Sequence, residues 1–137
     1  DIRMALSTLE KVFFLKGVPL FEDIPGEDIV GMVPILHEVS IPEGETFIRE
    51  GEGGDALYII VAGEVHVSRP DGEVLSLRSR EVIGERSVLT QQPRSADCTA
   101  ATDVVALRID NDDFWKLMAE QPKITIEILK VLVERYI

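Results

Sequence analysis

The chain has 137 residues, 45% of them hydrophobic, and a formal net charge of −11. That size suits one ordinary core without disulfide staples, and the acidic excess excludes a general nucleic-acid surface, which needs clustered Lys and Arg. The single cysteine, Cys98, excludes an intramolecular disulfide, and no apolar run approaches the roughly 20 residues that span a bilayer.

Neither a signal peptide nor an initiator Met opens the chain, and its last helical segment runs to the final residue without a cap. We expect a piece of a longer protein, in the cytoplasm or on the cytoplasmic face of a membrane protein. The net charge repels any anionic ligand at long range, so such a ligand needs a local site of amides and one well-placed cation.

Residues 6–16, LSTLEKVFFLK, read as a helix capped by Ser7 or Thr8 and ended by Gly17. Prolines and a glycine in 19–26 break the pattern. Residues 26–33 then read as a short second helix, with Ile29, Val30 and Val33 on its apolar side.

From residue 35 the segments ILHEVSIP, TFIRE, ALYIIVAG, EVHVSR, EVLSLR and DVVALRI are short, often alternating and rich in β-branched residues. Turn signals separate them: Pro42-Glu43-Gly44, Gly51 to Asp55, Gly63 and Pro70-Asp71-Gly72. Gly51, Gly53, Gly54 and Gly63 read as corners with positive φ, and Asp71-Gly72 as a hairpin turn. This pattern predicts an antiparallel barrel or jelly roll. After Ile109 the helical period returns. Asp110 or Asn111 caps DDFWKLMAEQ, whose Phe114 and Trp115 read as packing residues, and a last helix follows Pro122 with Ile124, Ile128, Val131, Leu132 and Tyr136 along its apolar side.

One stretch interrupts the roll. About a dozen residues separate strand-like EVI from strand-like ADCTAAT, far more than a turn requires. The stretch holds Gly84-Glu85, then Arg94 nine residues after Glu85, then Ser95-Ala96. Upstream stand Pro42-Glu43-Gly44-Glu45 and the run from Glu50-Gly51 through Tyr58 to Gly63-Glu64-Val65. In this order and spacing the segments resemble the phosphate-binding cassette and glycine-cornered strand pair of cyclic nucleotide-binding domains. That family includes regulatory subunits of cAMP-dependent protein kinase, the bacterial catabolite activator protein and cyclic nucleotide-gated channels. The resemblance spans about residues 18–136.

It implies one domain over 1–137: a helical lead (1–34), a β-roll of double-stranded β-helix type (35–110) carrying the cassette (83–96), and two C-terminal helices (111–137). It also implies a sensor of cAMP, favoured here, or cGMP. Such a sensor has no catalysis and no cofactor, and reports to the rest of a parent protein through the C-terminal helices. A buried phosphodiester suits the guanidinium fork of Arg94. Amides near Ser87, Val88 and Ser95, with the Ser95 hydroxyl, add donors at the start of a short helix over Glu85–Leu89. Glu85 accepts from the ribose 2′-hydroxyl, and Gly84 lets backbone approach the ribose. In the family a residue of the last helix caps the base, a role open to Arg135 or Tyr136.

Two residues depart from the family pattern. Arg86 follows Gly-Glu where the family usually has an apolar residue, and Ile83 precedes it where the family often has an aromatic. Arg86 favours the alternative of a degenerate, non-binding interaction module; intact Glu85 and Arg94 oppose it. An oxygenase of cupin type needs histidines and carboxylates around a metal. His37 and His66 stand apart on different strands, so no metal is expected, and Cys98 reads as core.

Overall fold

The computed structural model describes residues 6–136, with side chains described through residue 134. Helix α1 (Thr8–Lys16) starts at Ser7, whose hydroxyl accepts from the Glu10 amide while the Glu10 carboxylate accepts from the Ser7 amide. This reciprocal box satisfies two donors that the first turn leaves over, and it fixes Ser7, not Thr8, as the cap. Helix α2 (Gly26–Met32) passes into a 3-10 turn over Val33–Ile35, where Pro34 removes a helix donor. Its core side is Ile29 and Met32, three apart; Val30 is half exposed, contrary to the sequence expectation.

Among the described residues eight strands follow the predicted segments: β1 (His37–Ile41), β2 (Thr46–Ile48), β3 (Ala56–Ala62), β4 (Val65–Ser68), β5 (Val74–Leu77), β6 (Val82–Ile83), β7 (Asp97–Ala100) and β8 (Val104–Asp110). They pair antiparallel in two four-stranded sheets, ordered β1-β8-β3-β6 and β2-β7-β4-β5. The fold is therefore mainly β, a jelly-roll-type roll with helices before and after it. The β4–β5 hairpin closes over Pro70-Asp71-Gly72, with Gly72 at φ +92° and the Arg69 amide on the Glu73 carbonyl. It is a three-residue loop rather than the two-residue turn that Asp-Gly alone suggests. Helix α3 (Glu85–Thr90) bridges β6 to β7, and α4 (Asn111–Glu120) and α5 (Pro122–Tyr136) end the described chain.

Strands β3 and β8 are buried on both faces, and their alternation divides the core. Leu57, Ile59, Leu107 and Ile109 face a helix-side cluster with Leu15, Phe21, Phe114, Ile124 and Ile128. Ile60, Val104 and Ala106 face the roll interior with Ile41, Ile48, Val65, Ile83 and Cys98. One side chain serves each layer per step because successive residues of a strand point to opposite faces. Helices α4 and α5 are thus fastened to the same sheet that carries the interior. On α5, Ile124, Ile128 and Val131 are buried, whereas Ile126, Leu129 and Val133 form an exposed apolar stripe. Among the described residues no helix is long and apolar enough to cross a membrane.

The packing predicts a hierarchy of costs. Phe114, fully buried between α4 and the sheet, should lose about 3–5 kcal/mol on Phe114→Ala. Removing the exposed cap by Ser7→Ala should lose only about 1 kcal/mol. Urea unfolding of both variants checks the contrast. Burial also pushes the Cys98 thiol up from 9.0 to about 11. In the unfolded chain the thiol ionises near its ordinary value, so its contribution to stability is whole below about pH 9 and is lost as pH rises through about 11. Unfolding free energy should fall more steeply across that window in the native sequence than in Cys98→Ala.

Candidate functional site

The site is built around Arg94, one of two buried polar or charged residues among those described, at 6% exposure. Its Nη1 donates to the Gly84 carbonyl at 3.2 Å and its Nη2 to the Ala56 carbonyl at 2.5 Å. Asp55 Oδ1 lies 3.7 Å from Nη2. The backbone around Arg94 is locked as well: its amide donates to Glu52 and its carbonyl accepts from Gly51. Gly84 sits at φ +90°, and a Cβ there would lie 2.3 Å from Arg94 Nη1. Glycine is needed at position 84 twice over, for a left-handed turn into α3 and for room beside the guanidinium.

Arg94 lines a cavity of about 400 Å³, within the usual range for small-molecule sites. Gly84, Glu85, Arg86 and Ser87 form one edge, Gln92 to Ala96 another, and Ile48, Val67, Leu75, Leu77, Val82, Ile83 and Cys98 the apolar wall. Arg69 stands at the β4–β5 end. The site is therefore polar where the cassette crosses and apolar where the roll interior opens. Ile83, which takes the position where an aromatic was expected, pairs across the sheet with Tyr58.

Of the residues expected from sequence, Gly84, Glu85, Ser87, Arg94 and Ser95 all line this cavity. Glu85 is half-buried at the first position of α3, and Ser95 is exposed. The Ser87 hydroxyl is occupied, donating to the Gln92 carbonyl and closing the cassette loop on itself. That leaves the Ser87 amide, in the first turn of α3 where helix geometry offers no acceptor. Val88 is a correction. It does not line the cavity, its amide donates to Gly84, and its side chain is buried in the helix-side core. The fourth residue of the helix is the first to find an intrahelical acceptor. The side chains of Arg135 and Tyr136 lie outside the described residues.

Sequence reasoning missed several residues. Asp55 is the carboxylate nearest Arg94, and the Asp55 carbonyl accepts from the Asn111 amide at the start of α4. Trp115 does more than pack: its indole N–H donates to the Val88 carbonyl of α3 at 3.1 Å. Cys98 is core, as expected, but also cavity wall. Gly53 and Gly54 have no positive φ, unlike Gly51 and Gly63. Gly54 has another reason to be glycine, since a Cβ there would meet Ser87 Oγ at 2.3 Å. Away from the cavity, His37, Asp110 and Asp113 bring one donor atom each within 4.8 Å of one another. Arg108 already sits on Asp110 at 3.0 Å.

The chain resembles known proteins over most of its length. The family profile described as the cyclic nucleotide-binding domain matches residues 38–121. The chain is 33% identical over 121 residues to a CRP-like cAMP-activated global transcriptional regulator of Mycobacterium tuberculosis, covering 85% of this chain and 54% of that protein. It is 36% identical over 119 residues to a cyclic nucleotide-gated potassium channel of Rhizobium etli, covering 87% of this chain and 33% of that one. It thus spans about half or less of these relatives. The crystal structure of the N-terminal domain of a transcriptional regulator from Streptomyces coelicolor A3(2) superposes with a TM-score of 0.77 at 31% identity, covering 89% of this chain and 91% of that one. The matched span runs from β1 through α4, across every strand and the whole cassette, and on it the chain belongs to the cyclic nucleotide-binding domain family, a family of regulatory modules.

Proposed function

We propose that this chain is a non-catalytic sensor that binds a 3′,5′-cyclic nucleotide, cAMP in preference to cGMP, in the cavity around Arg94. The observation that carries the proposal is the buried guanidinium of Arg94 at the wall of that cavity, beside Gly84, Glu85, Ser87 and Ser95. A cation held in a poorly solvated place by neutral carbonyls keeps unmet attraction for one negative charge. Asp55, 90% exposed and at 3.7 Å, answers it only in part. In this proposal Arg94 and the Ser87 amide hold the cyclic phosphate, with the Ser95 hydroxyl adding a donor. Glu85 accepts from the ribose 2′-hydroxyl, Gly84 gives the ribose room, and the purine lies against the apolar wall. Arg135 or Tyr136 caps the base. The preference for cAMP draws on the relatives named for it.

Two bonds support transmission to the C-terminal helices. Trp115 ties α4 to the cassette helix through the Val88 carbonyl, and Asn111 ties the start of α4 to Asp55, which also faces Arg94. A ligand that draws Arg94 and α3 inward changes both bonds. It shifts α4 and α5 to the extent that it favours one helix arrangement over the other. The remainder of a parent protein, in the cytoplasm or at a membrane's cytoplasmic face, reads that shift. The alternative, a degenerate module, has its own observation: two carbonyls and a nearby carboxylate of the chain itself already engage the Arg94 guanidinium.

Isothermal titration with cAMP and cGMP separates the two. The native sequence should bind in the micromolar range or tighter. Arg94→Lys keeps the charge but loses the fork, and should weaken binding about 10- to 100-fold. Glu85→Ala should reduce the preference for cAMP over its 2′-deoxy analogue. Absence of heat at millimolar concentration of either nucleotide contradicts the proposal and leaves the degenerate module. Trp115 is the chain's one tryptophan. Its emission should shift on binding with the same midpoint as the titration, whereas an unchanged emission at saturation contradicts transmission through α4.

A further inference from the structure

An anionic ligand approaching this chain meets a net charge of −11. Arg94 is a poor attractor at a distance, because it is buried and partly answered by Asp55 at 3.7 Å. Arg86 differs on both counts. It is the second residue of α3, lines the cavity, is exposed, and among the described residues its guanidinium makes no ion pair or hydrogen bond. Arg69 at the other end of the cavity is engaged with Glu73 at 3.8 Å. The charged residues lining the cavity are thus three arginines against the single carboxylate of Glu85. With Asp55 on Arg94 and Glu73 on Arg69, Arg86 is the lining arginine that has no carboxylate within ion-pair distance among the described residues, beside a cleft whose walls concentrate the field.

We propose that Arg86 is an electrostatic capture residue. It draws the nucleotide's phosphate to the cavity mouth and leaves the bound ligand to Arg94. The inference rests on the cyclic-nucleotide proposal above and adds a kinetic role to it. It also gives a physical reason for a charged residue where the family usually has an apolar one: the cation offsets the far-field repulsion of this unusually acidic chain. A solvated charge at a rim changes the rate of encounter, whereas groups that contact the bound ligand change the rate of escape.

The test is stopped-flow association of a fluorescent cyclic nucleotide with the native protein, Arg86→Gln, Arg86→Glu and Lys123→Gln. The last makes the same change in net charge on exposed α5, away from the cavity lining. At low ionic strength kon should fall about two- to fivefold for Arg86→Gln and by a similar factor again for Arg86→Glu. Lys123→Gln should stay near the native rate, and koff should stay within about twofold throughout. At about 0.5 M salt the rates should converge. Equal kon for all four proteins at low salt overturns the inference. So does an effect of Arg86→Gln confined to koff, which makes Arg86 a contact of the bound ligand. Failure of the native protein to bind the nucleotide at all overturns the functional proposal itself, and this inference with it.

Discussion

A guanidinium taken out of water must find acceptors for its donors, and much of this structure is arranged so that Arg94 can. Two of its acceptors are main-chain carbonyls, Gly84 at the end of the β6 turn and Ala56 at the start of β3. These carbonyls are fixed only if the two strands are paired as they are, Tyr58 against Ile83 and Ile59 against Val82. Gly84 must be glycine to leave space for Nη1, and Gly54 must be glycine to let Ser87 and α3 lie close. The cassette is therefore a loop whose shape is set from within the sheet. Removing one partner of a buried charge leaves a polar group unmet, which is why this residue constrains its surroundings more than any apolar neighbour does.

The same interaction connects the site to the helices. Asp55 faces Arg94 with its carboxylate and holds the first amide of α4 with its carbonyl; Val88 packs into the helix-side core with its side chain and holds Trp115 with its carbonyl. Strands β3 and β8 bury residues on both faces, so the roll interior and the helix-side core share these two strands.

Much of this was legible in the sequence, and the limits were physical. Short runs rich in β-branched residues and bounded by Gly and Pro marked the strands, with alternation only where one face is left to solvent, and the cassette was marked by Gly84, Glu85 and Arg94 at one spacing. What escaped notice depended on pairs far apart in the chain. Trp115 lies 27 residues from its acceptor Val88, and Arg94 lies 38 from Ala56. Nothing in the local pattern of either residue names its partner. Gly54 was misjudged because a glycine kept for close approach reads the same as one kept for positive φ. Val88 was misjudged because one helical step separates an unmet amide from a bonded one. Val30 was misjudged, and Met32 left unnamed, because a seven-residue helix is too short for apolar periodicity to fix its inward face.

A crystal structure grown with cAMP decides whether the cavity beside Arg94 holds a cyclic phosphate. Phosphate oxygens should lie within hydrogen-bonding distance of Arg94 and of the Ser87 amide, with the ribose 2′-hydroxyl on Glu85. An Arg94 still closed on Ala56 and Gly84, with the nucleotide absent or bound elsewhere, would contradict that placement.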